Sequence, residues 1–493
     1  MTSNSSAASR SSTAAQNLDP SDWAAFRAQG HAMLDDLCDH IEGLTTGPVW
    51  RAPPTAAKAR FEADLPLEPT DLAECHEIFK ANVLPYGGGN AHPGFMGWVQ
   101  GAGTPVGMLA EMLSAGLNAN LGGRDHMPIA VERQVVRWTR EMFGFPPQAT
   151  GLFVTGASQA NFLAVLIARQ RALGPTARNA GVAASGVQLT AYASSAAHGC
   201  IARALDMAGL GVDCLRRIAV DQDHRMDLAA LRAAIAQDRG AGFTPFLIVG
   251  TAGTVDVGAI DDLHGLADIA ADQDLSFHVD GALGALAVLS KDLAPRVAGI
   301  ERCDTLAFDF HKWGQVPYDA GFLLVRDGAL HRQTFASDAA YLSRAQRGMA
   351  AGEWWPCDYG PDLSRGFRAL KTWFTLKTYG ANALGASMAR NCALAQRLAA
   401  RIAAEPELTL AAPVALNIVC FHYGDGRFDP RIVADLQEAG EVAPSLTRID
   451  GRSAIRAAIV NHRTRPSDVD ALVVETLKFG RVASREVVEV TPA

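Results

Sequence analysis

Short apolar runs alternate with amphipathic helical patterns from Thr150 to about residue 325. An apolar run bounded by glycine or polar positions predicts a buried strand, and apolar residues at three- and four-residue steps predict a helix. Helices are predicted at 159–172, 226–238 and 263–273. Strands are predicted at 151–154, 187–193, 215–220, 245–250, 275–280, 305–308 and 321–325. Strands separated by helices predict an α/β fold with a mostly parallel seven-stranded sheet, in which ligands bind at the carboxyl ends of the strands.

The chain on either side of this sheet divides into further segments. Residues 1–17 are predicted to be a disordered tail, since they are rich in serine and alanine and lack the apolar core of a signal peptide. Residues 18–95 form a predicted N-terminal segment, with a helix from Asp19 to Gly43 and then a proline-rich arm. This arm could wrap a partner subunit or fold back on its own domain. Residues 96–380 are the predicted large domain, and residues 381–493 a small C-terminal α/β domain.

Composition and charge favour an enzyme of small-molecule metabolism. A hydrophobic fraction of 48% with 19% charged residues is typical of a soluble globular protein. The net charge of -8 gives no electrostatic reason to expect nucleic acid or an anionic membrane as partner. The eight cysteines are scattered, without a C-x-x-C pair or a cluster at metal spacing, so neither disulfides nor a metal site is predicted. A cytoplasmic location fits these features.

Two charged residues near the ends of neighbouring predicted strands indicate the chemistry. Asp280 ends the strand at 275–280, and Lys312 follows the strand at 305–308. A lysine amine forms a Schiff base with the aldehyde of pyridoxal phosphate (PLP), and a carboxylate beside the ring nitrogen keeps that nitrogen protonated. A carboxylate at a buried strand end also needs a cationic partner, which a pyridinium would supply. The pair therefore predicts a PLP site.

The segment from Thr155 to Asn161 is predicted to bind the phosphate of this cofactor. It follows a strand and opens an apolar helix, and free N–H groups at a helix N-terminus attract anions. Ser158 at this position also fits a plain helix N-cap. Asp280 and Lys312 downstream favour the phosphate interpretation.

Together these residues resemble the group II PLP-dependent amino-acid decarboxylases, the family of aromatic-L-amino-acid, histidine and glutamate decarboxylases. The resemblance extends over about residues 20 to 480. The motifs that carry it are His92-Pro93-x-Phe95, Thr155-Gly156-Ala157-Ser158-Gln159-Ala160, Ala197-His198, Gly250-Thr251-x-Gly253-Thr254, His278-Val279-Asp280-Gly281-Ala282, His311-Lys312-Trp313 and Arg365-Gly366-Phe367-Arg368-Ala369-Leu370-Lys371-x-Trp373.

The resemblance implies a fold, a reaction and residue roles. The implied fold is the aspartate-aminotransferase type (fold type I), as a homodimer with active sites at the subunit boundary. The implied reaction converts an L-amino acid into its amine and CO2. The implied roles are the Schiff-base lysine for Lys312, the pyridinium partner for Asp280, stacking on the ring for His198, phosphate contacts for Ala157, Ser158 and His311, ring contacts for Thr251 and Ala282, and a substrate-carboxylate contact for Arg365.

The chain departs from the family pattern in the residues that should finish the reaction. Asp309 stands where animal members carry Asn near the phosphate, and a carboxylate there would be repelled unless it is paired or turned away. Neither Tyr341 nor Tyr359 has the spacing before Arg365 of the family's proton-donating tyrosine. Either His198 or water could donate the proton instead. Family members without the tyrosine can form an aldehyde by reaction with oxygen, so that product is an alternative to the amine.

The predicted substrate pocket also departs from the pattern. Trp98 matches an aromatic position of the aromatic decarboxylases, whereas Asn120, Gly122 and Arg124 replace apolar or aromatic residues. An aromatic or indolic substrate is favoured, with an acidic one as the alternative if Arg124 faces the substrate. Arg124 could instead pair with Asp125 or Glu132. A non-catalytic relative that kept the fold is the remaining alternative.

Overall fold

The computed structural model describes residues 17–337 and 343–490. Residues 1–16 of the predicted tail and Tyr341 of the predicted loop lie outside the described residues. The α-helices are α1 (Trp23–Glu42), α2 (Thr55–Ala59), α3 (Leu72–Asn82), α4 (Pro105–Leu117), α5 (Met127–Met142), α6 (Ala157–Leu173), α7 (Thr176–Ala180), α8 (Cys200–Met207), α9 (Leu228–Gly240), α10 (Leu263–Gln273), α11 (Gly328–Phe335), α12 (Arg368–Tyr379), α13 (Ala381–Ala403), α14 (Asp429–Ala439) and α15 (Pro466–Val490). The β-strands are β1 (Phe95–Met96), β2 (Thr150–Val154), β3 (Leu189–Ser194), β4 (Leu215–Ile218), β5 (Thr244–Thr251), β6 (Ser276–Asp280), β7 (Thr305–Asp309), β8 (Gly321–Val325), β9 (Leu408–Leu410), β10 (Ile418–Tyr423), β11 (Ala443–Ile449) and β12 (Arg452–Ala458).

The described chain forms two compact units. One comprises residues 17–43 and 53–86, and the other comprises residues 44–52 and 87–490. In the first unit, α1 begins at Asp22, whose carboxylate accepts hydrogen bonds from the N–H groups of Ala24 and Ala25. The predicted helix start at Asp19 was therefore three residues too early. Asp22 is the N-cap, because its carboxylate accepts hydrogen bonds from the free N–H groups of the first turn. The predicted arm contains α2, so it is not extended throughout.

A seven-stranded sheet dominates the second unit, in the order β2-β8-β7-β6-β5-β3-β4. Strands β4, β3, β5, β6 and β7 run parallel, and β8 is antiparallel to both of its neighbours. All residues of β6, β7 and β8 are buried, as expected for strands that helices cover on both faces. The predicted mostly parallel seven-stranded sheet is confirmed.

Strand register brings the carboxyl ends of β5, β6 and β7 to one edge of this sheet. Thr251 at the end of β5 pairs with Asp280 at the end of β6, and Asp280 pairs with Ala307 of β7. Asp309 ends β7, two residues beyond Ala307. Three polar side chains from separate strands therefore meet at the edge where parallel sheets bind ligands.

A second sheet of five strands, in the order β1-β11-β12-β10-β9, lies in the C-terminal part of the chain. Its core includes Met96, Phe421 and Ile455 together with apolar residues of α13, α14 and α15. Strand β1 joins this sheet by pairing Phe95 and Met96 with Ala443 and Pro444, so the predicted domain boundary between residues 95 and 96 falls within a strand.

Among the described helices, none combines the length and the apolar character needed to cross a membrane.

Candidate active site

A cavity of about 390 Å³ opens at the carboxyl edge of the seven-stranded sheet. This volume lies within the range of small-molecule sites. All of the predicted cofactor residues line the cavity, namely Ala157, Ser158, His198, Thr251, Asp280, Ala282, His311 and Lys312. Trp98, Asn161, Cys200, Asp309 and Tyr318 also line it.

Asp280 is a buried carboxylate whose close partners are neutral. It is 4% exposed, and its Oδ2 accepts a hydrogen bond from Nδ2 of Asn161 at 3.1 Å. Its Oδ1 accepts one from the N–H of Ala282 at 3.1 Å. None of the ion pairs among the described residues includes Asp280. A buried carboxylate without a cation favours a ligand that brings positive charge to the cavity.

Lys312 lines the same cavity and lies on the turn that follows β7. Its Nζ is 3.0 Å from Oδ2 of Asp309, and its side chain is 24% exposed. The backbone of this turn is tightly packed: a Cβ on Gly101 would lie 2.2 Å from the carbonyl oxygen of His311 and 2.4 Å from that of Lys312. Only glycine permits such a close approach. The lysine amine is therefore held on a fixed backbone beside the cavity.

The carboxylate of Asp309, whose role the sequence left open, has two partners in the structure. Its Oδ1 accepts a hydrogen bond at 2.7 Å from the N–H of Ala157, the first residue of α6. Its Oδ2 pairs with Lys312. The carboxylate is thus paired twice, with a helix N-terminus and with a cation.

The N-terminus of α6 has the features of an anion-binding site. The N-cap is Gly156, which makes no side-chain capping bond, so Ser158 is not the N-cap. His311 lies beside this helix end, with Nε2 3.6 Å from Oδ1 of Asp309. Its Nδ1 accepts a hydrogen bond from the N–H of Ala320 at 2.9 Å, so the neutral ring carries its proton on Nε2. Burial lowers the pKa of His311, which favours this neutral form.

The donors and acceptors of the cavity fit PLP. The hydroxyl of Thr251 is buried without a hydrogen-bond partner and lines the cavity. Such an orphaned hydroxyl indicates a ligand group that pairs with it. The cavity therefore offers an anion-binding helix end at α6, the amine of Lys312, the carboxylate of Asp280 and the unpaired hydroxyl of Thr251 at the end of β5.

Arg365 was predicted to contact a substrate carboxylate, and this was wrong. Its guanidinium is buried in a bidentate pair with Glu132, at 2.7 and 3.3 Å, and also donates to the carbonyl oxygens of Leu121 and Phe153. Both side chains of the pair are at most 1% exposed. The arginine is committed to a structural ion pair, because leaving Glu132 unpaired in the interior would be strongly unfavourable.

The predicted pocket residues Asn120 and Arg124 also lie away from the cavity. Oδ1 of Asn120 accepts hydrogen bonds from the N–H groups of Gly122 and Arg365. The guanidinium of Arg124 stacks over the ring of Trp355, 4.5 Å from its centroid. A Cβ on Gly122 would lie 1.9 Å from a backbone oxygen of Leu363, so this glycine permits chain packing and does not enlarge the pocket.

Of the two loop tyrosines, the described one does not line the cavity. Tyr359 is 9% exposed, and its ring packs against His331 and Trp354. It therefore provides no hydroxyl to the predicted site.

The pair of Glu132 and Arg365 gives a stability prediction. Replacing Glu132 with glutamine leaves a buried guanidinium without its counter-charge, so the free energy of unfolding should fall by about 3–5 kcal/mol in urea denaturation. Glu141→Gln on the same helix is the control, since the Glu141 carboxylate is exposed and 3.7 Å from Arg137. That change should alter the free energy of unfolding by about 0.5 kcal/mol or less. Equal losses in the two variants would contradict the assignment.

Several cavity residues were missed by the sequence interpretation, among them Asn161, Cys200 and Tyr318. Asn161 lies one helical turn after Ala157, so the spacing could have placed both on one face of α6. Tyr318 stacks on the ring of His311, with centroids 4.3 Å apart. No pattern in the sequence distinguishes Tyr318 from other loop residues.

Comparisons with known proteins identify the family of the chain. The model of the family described as the pyridoxal-dependent decarboxylase conserved domain matches residues 54–424. The aromatic-L-amino-acid decarboxylase of Bacillus atrophaeus is 30% identical over 461 residues, covering 90% of this chain and 93% of that protein. The L-2,4-diaminobutyrate decarboxylase of Rhizobium meliloti is 32% identical over 377 residues, covering 74% and 73%. The crystal structure of Oryza sativa TDC with PLP and tryptamine has the same fold, with a TM-score of 0.85 at 20% identity, covering 95% of this chain and 100% of that chain.

The fold and these comparisons show that the chain is a PLP-dependent enzyme of fold type I. The chain belongs to the pyridoxal-dependent decarboxylase family. It is a PLP-dependent amino-acid decarboxylase.

Proposed function

We propose that the enzyme decarboxylates an aromatic or indolic L-amino acid and releases the amine. The observation that carries this proposal is the single cavity that combines the cofactor residues with two aromatic side chains, Trp98 and Tyr318. The relative from Bacillus atrophaeus, an aromatic-L-amino-acid decarboxylase, supports the same substrate class. The acidic alternative depended on Arg124, whose stacking on Trp355 gives it no support.

In this proposal different residues around the cavity would hold different parts of the cofactor. Lys312 would bond the cofactor through its amine, and Asp280 would accept a hydrogen bond from the protonated ring nitrogen. The N–H groups at the start of α6, the hydroxyl of Ser158 and Nε2 of His311 would bind the phosphate, in competition with Asp309 for the N–H of Ala157. Thr251 and Ala282 would line the ring. When bound, PLP supplies an electron sink for the bond to the departing carboxylate.

His198 is the proposed proton donor. Its Nδ1 accepts a hydrogen bond from the N–H of Cys200 at 3.2 Å, so a neutral imidazole carries its proton on Nε2. The ring lines the cavity, where it would stack on the cofactor and would hold this proton on Nε2 for transfer to the substrate. Protonation at carbon yields the amine, whereas failure of this step would allow oxygen to react.

We further propose a cytoplasmic homodimer with active sites at the subunit boundary. Helix α4 exposes the apolar side chains of Met112, Leu113 and Leu117, each at least 50% accessible to solvent. Trp98, beside the cavity, is 56% exposed. Burial of these side chains against a second copy would remove apolar surface from water. Exposed free thiols at Cys38 and Cys75 are compatible with a reducing compartment.

A CO2-release screen over the common amino acids, with identification of the product, tests the proposed function. Release from tryptophan, tyrosine, phenylalanine or their hydroxylated derivatives, with amine as the product, is the expected result. Preference for aspartate or glutamate would refute the substrate class. Aldehyde together with hydrogen peroxide would refute the amine product, and PLP binding without CO2 release from any amino acid would indicate a non-catalytic relative.

Asp309 gives a prediction about cofactor affinity. Asp309→Asn should tighten PLP binding about fivefold to tenfold near pH 8, because the variant removes a carboxylate that competes with the phosphate for the N–H of Ala157 and holds Lys312 in an ion pair. The gain should shrink near pH 6, where the phosphate carries less charge. Equilibrium dialysis measures both affinities. Asp319→Asn is the control, since Asp319 pairs with Arg368 and does not line the cavity. Weaker binding by Asp309→Asn would mean that the carboxylate helps to hold the cofactor.

A further inference from the structure

A chain of buried polar groups extends from Asp280 into the interior, behind the cavity. Nδ2 of Asn161, on α6, lies 3.1 Å from Oδ2 of Asp280. Oδ1 of the same amide lies 2.7 Å from Nε2 of His278, on β6. Nδ1 of His278 lies 2.8 Å from the hydroxyl of Thr305, on β7. Asn161 and His278 are both fully buried, and Thr305 is 5% exposed.

Chemistry fixes the direction of each hydrogen bond in this chain. An ionised carboxylate only accepts, so the amide of Asn161 must turn its N–H groups towards Asp280. Its oxygen then faces Nε2 of His278, which must donate. With its proton on Nε2, the neutral ring accepts at Nδ1 from the hydroxyl of Thr305 at 2.8 Å, while the backbone oxygen of Thr305 lies farther from Nδ1, at 3.1 Å. With Asp280 ionised and His278 neutral, turning the amide of Asn161 around would place its oxygen against the carboxylate.

The second N–H of Asn161 is also used. Nδ2 lies 3.2 Å from Sγ of Cys200, a buried thiol at the start of α8. The amide is therefore satisfied at all of its close contacts, by groups from β6 and α8. A side chain held from several sides cannot rotate without breaking buried hydrogen bonds.

His278 carries no charge in this setting. Burial lowers its pKa to about 4, so it is neutral near pH 7. The neighbouring charge of Asp280 is too weak to reverse this effect. The hydrogen-bonded groups behind Asp280 therefore present oriented dipoles to its carboxylate, and none of them carries a positive charge that would compete with the cofactor.

We propose that Asn161 and His278 are positioning residues, which orient the carboxylate of Asp280 towards the ring nitrogen of PLP. This inference depends on the proposed role of Asp280. Oδ2 is fixed by Asn161 and Oδ1 by the N–H of Ala282, so the plane of the carboxylate is set before the cofactor binds. Asn161 acts directly on the carboxylate, and His278 acts through Asn161.

The test compares PLP with its deaza analogue, in which CH replaces the ring nitrogen. Protein is freed of cofactor and reloaded with each compound, and the ratio of the two dissociation constants is measured. The wild type should prefer PLP. Asn161→Ala should reduce this preference about tenfold, because a hydrogen bond to a charged group is lost. His278→Leu should reduce the preference for PLP about threefold. His278→Gln retains an N–H for Asn161 and should therefore keep most of the preference.

Asn417→Ala is the matched control for loss of a buried amide. Nδ2 of Asn417 donates to the backbone oxygen of Ile459, both residues adjoining strands of the second sheet, and its side chain does not line the cavity. This variant should keep the wild-type preference. If Asn161→Ala weakens both compounds by the same factor, the network is only structural and the inference is overturned. Asn161→Ser provides the measurement should the alanine variant not fold, since its hydroxyl is one atom shorter than the amide that contacts Asp280 and the preference for PLP should fall in the same direction.

These outcomes separate the inference from the proposed function. A wild-type enzyme that binds both compounds equally would refute the role of Asp280 itself and the inference with it. A wild type that prefers PLP, with unchanged preference in the Asn161 variants, would refute the inference alone.

Discussion

Replacing Lys312 with alanine should lower the rate of CO2 release by a factor of ~10⁴ or more. The variant loses the amine that bonds the cofactor, and no other lysine among the described residues lines the cavity. The absorbance band near 420 nm of the bound cofactor should disappear as well. Steady-state kinetics and a spectrum of the reconstituted protein measure the two effects.

Lys312→Arg separates the chemistry from the ion pair with Asp309. Arginine keeps a positive charge near Asp309, yet its guanidinium does not form the bond to the aldehyde. This variant should therefore be as inactive as the alanine variant while retaining more stability. Lys291→Ala, at an exposed position, should keep full activity. Substantial activity in both Lys312 variants would contradict the assignment.

Replacing Asp280 with asparagine should lower kcat by about 10³-fold. Asparagine has the same shape but carries no charge, so the ring nitrogen loses the carboxylate that keeps it protonated. Binding of PLP should weaken too. Because the partners of Asp280 are neutral groups in the described structure, the change should affect stability much less than activity.

Two variants sharpen this measurement. Asp280→Glu keeps the charge but displaces it, so its activity should fall between those of the wild type and Asp280→Asn. Asp292→Asn, outside the cavity, should behave as the wild type. A kcat for Asp280→Asn within about threefold of the wild-type value would exclude a role at the ring nitrogen.

The sheet could be predicted because its physical signal is local. Strands buried on both faces are continuous apolar runs, as in β5 and β7, and helices cover them with a regular apolar period. The N-terminal segment was harder to predict. The proline content around α2 favours extended structure, and Asp19 and Asp22 both precede the helical pattern, although only Asp22 caps α1.

The candidate site was predictable wherever several motifs converge on one strand edge. Ser158, Thr251, Asp280 and Lys312 are each ambiguous alone, yet each lies at or after the end of a predicted strand, and all four line one cavity. Arg365 was misassigned because its partner Glu132 lies 233 positions earlier in the chain. No local pattern reveals such a pair. The hydrogen bond between Asp309 and the N–H of Ala157 could not be predicted from the sequence either, because it depends on the distance between β7 and the start of α6.

Borohydride reduction of the PLP-loaded enzyme, followed by proteolysis and mass spectrometry, tests the central claim most directly. Reduction converts the bond between cofactor and lysine into a stable pyridoxyl group. We predict a single modified peptide, with the group on Lys312. A pyridoxyl group on Lys371 instead, the buried lysine that pairs with Glu111, would contradict the account.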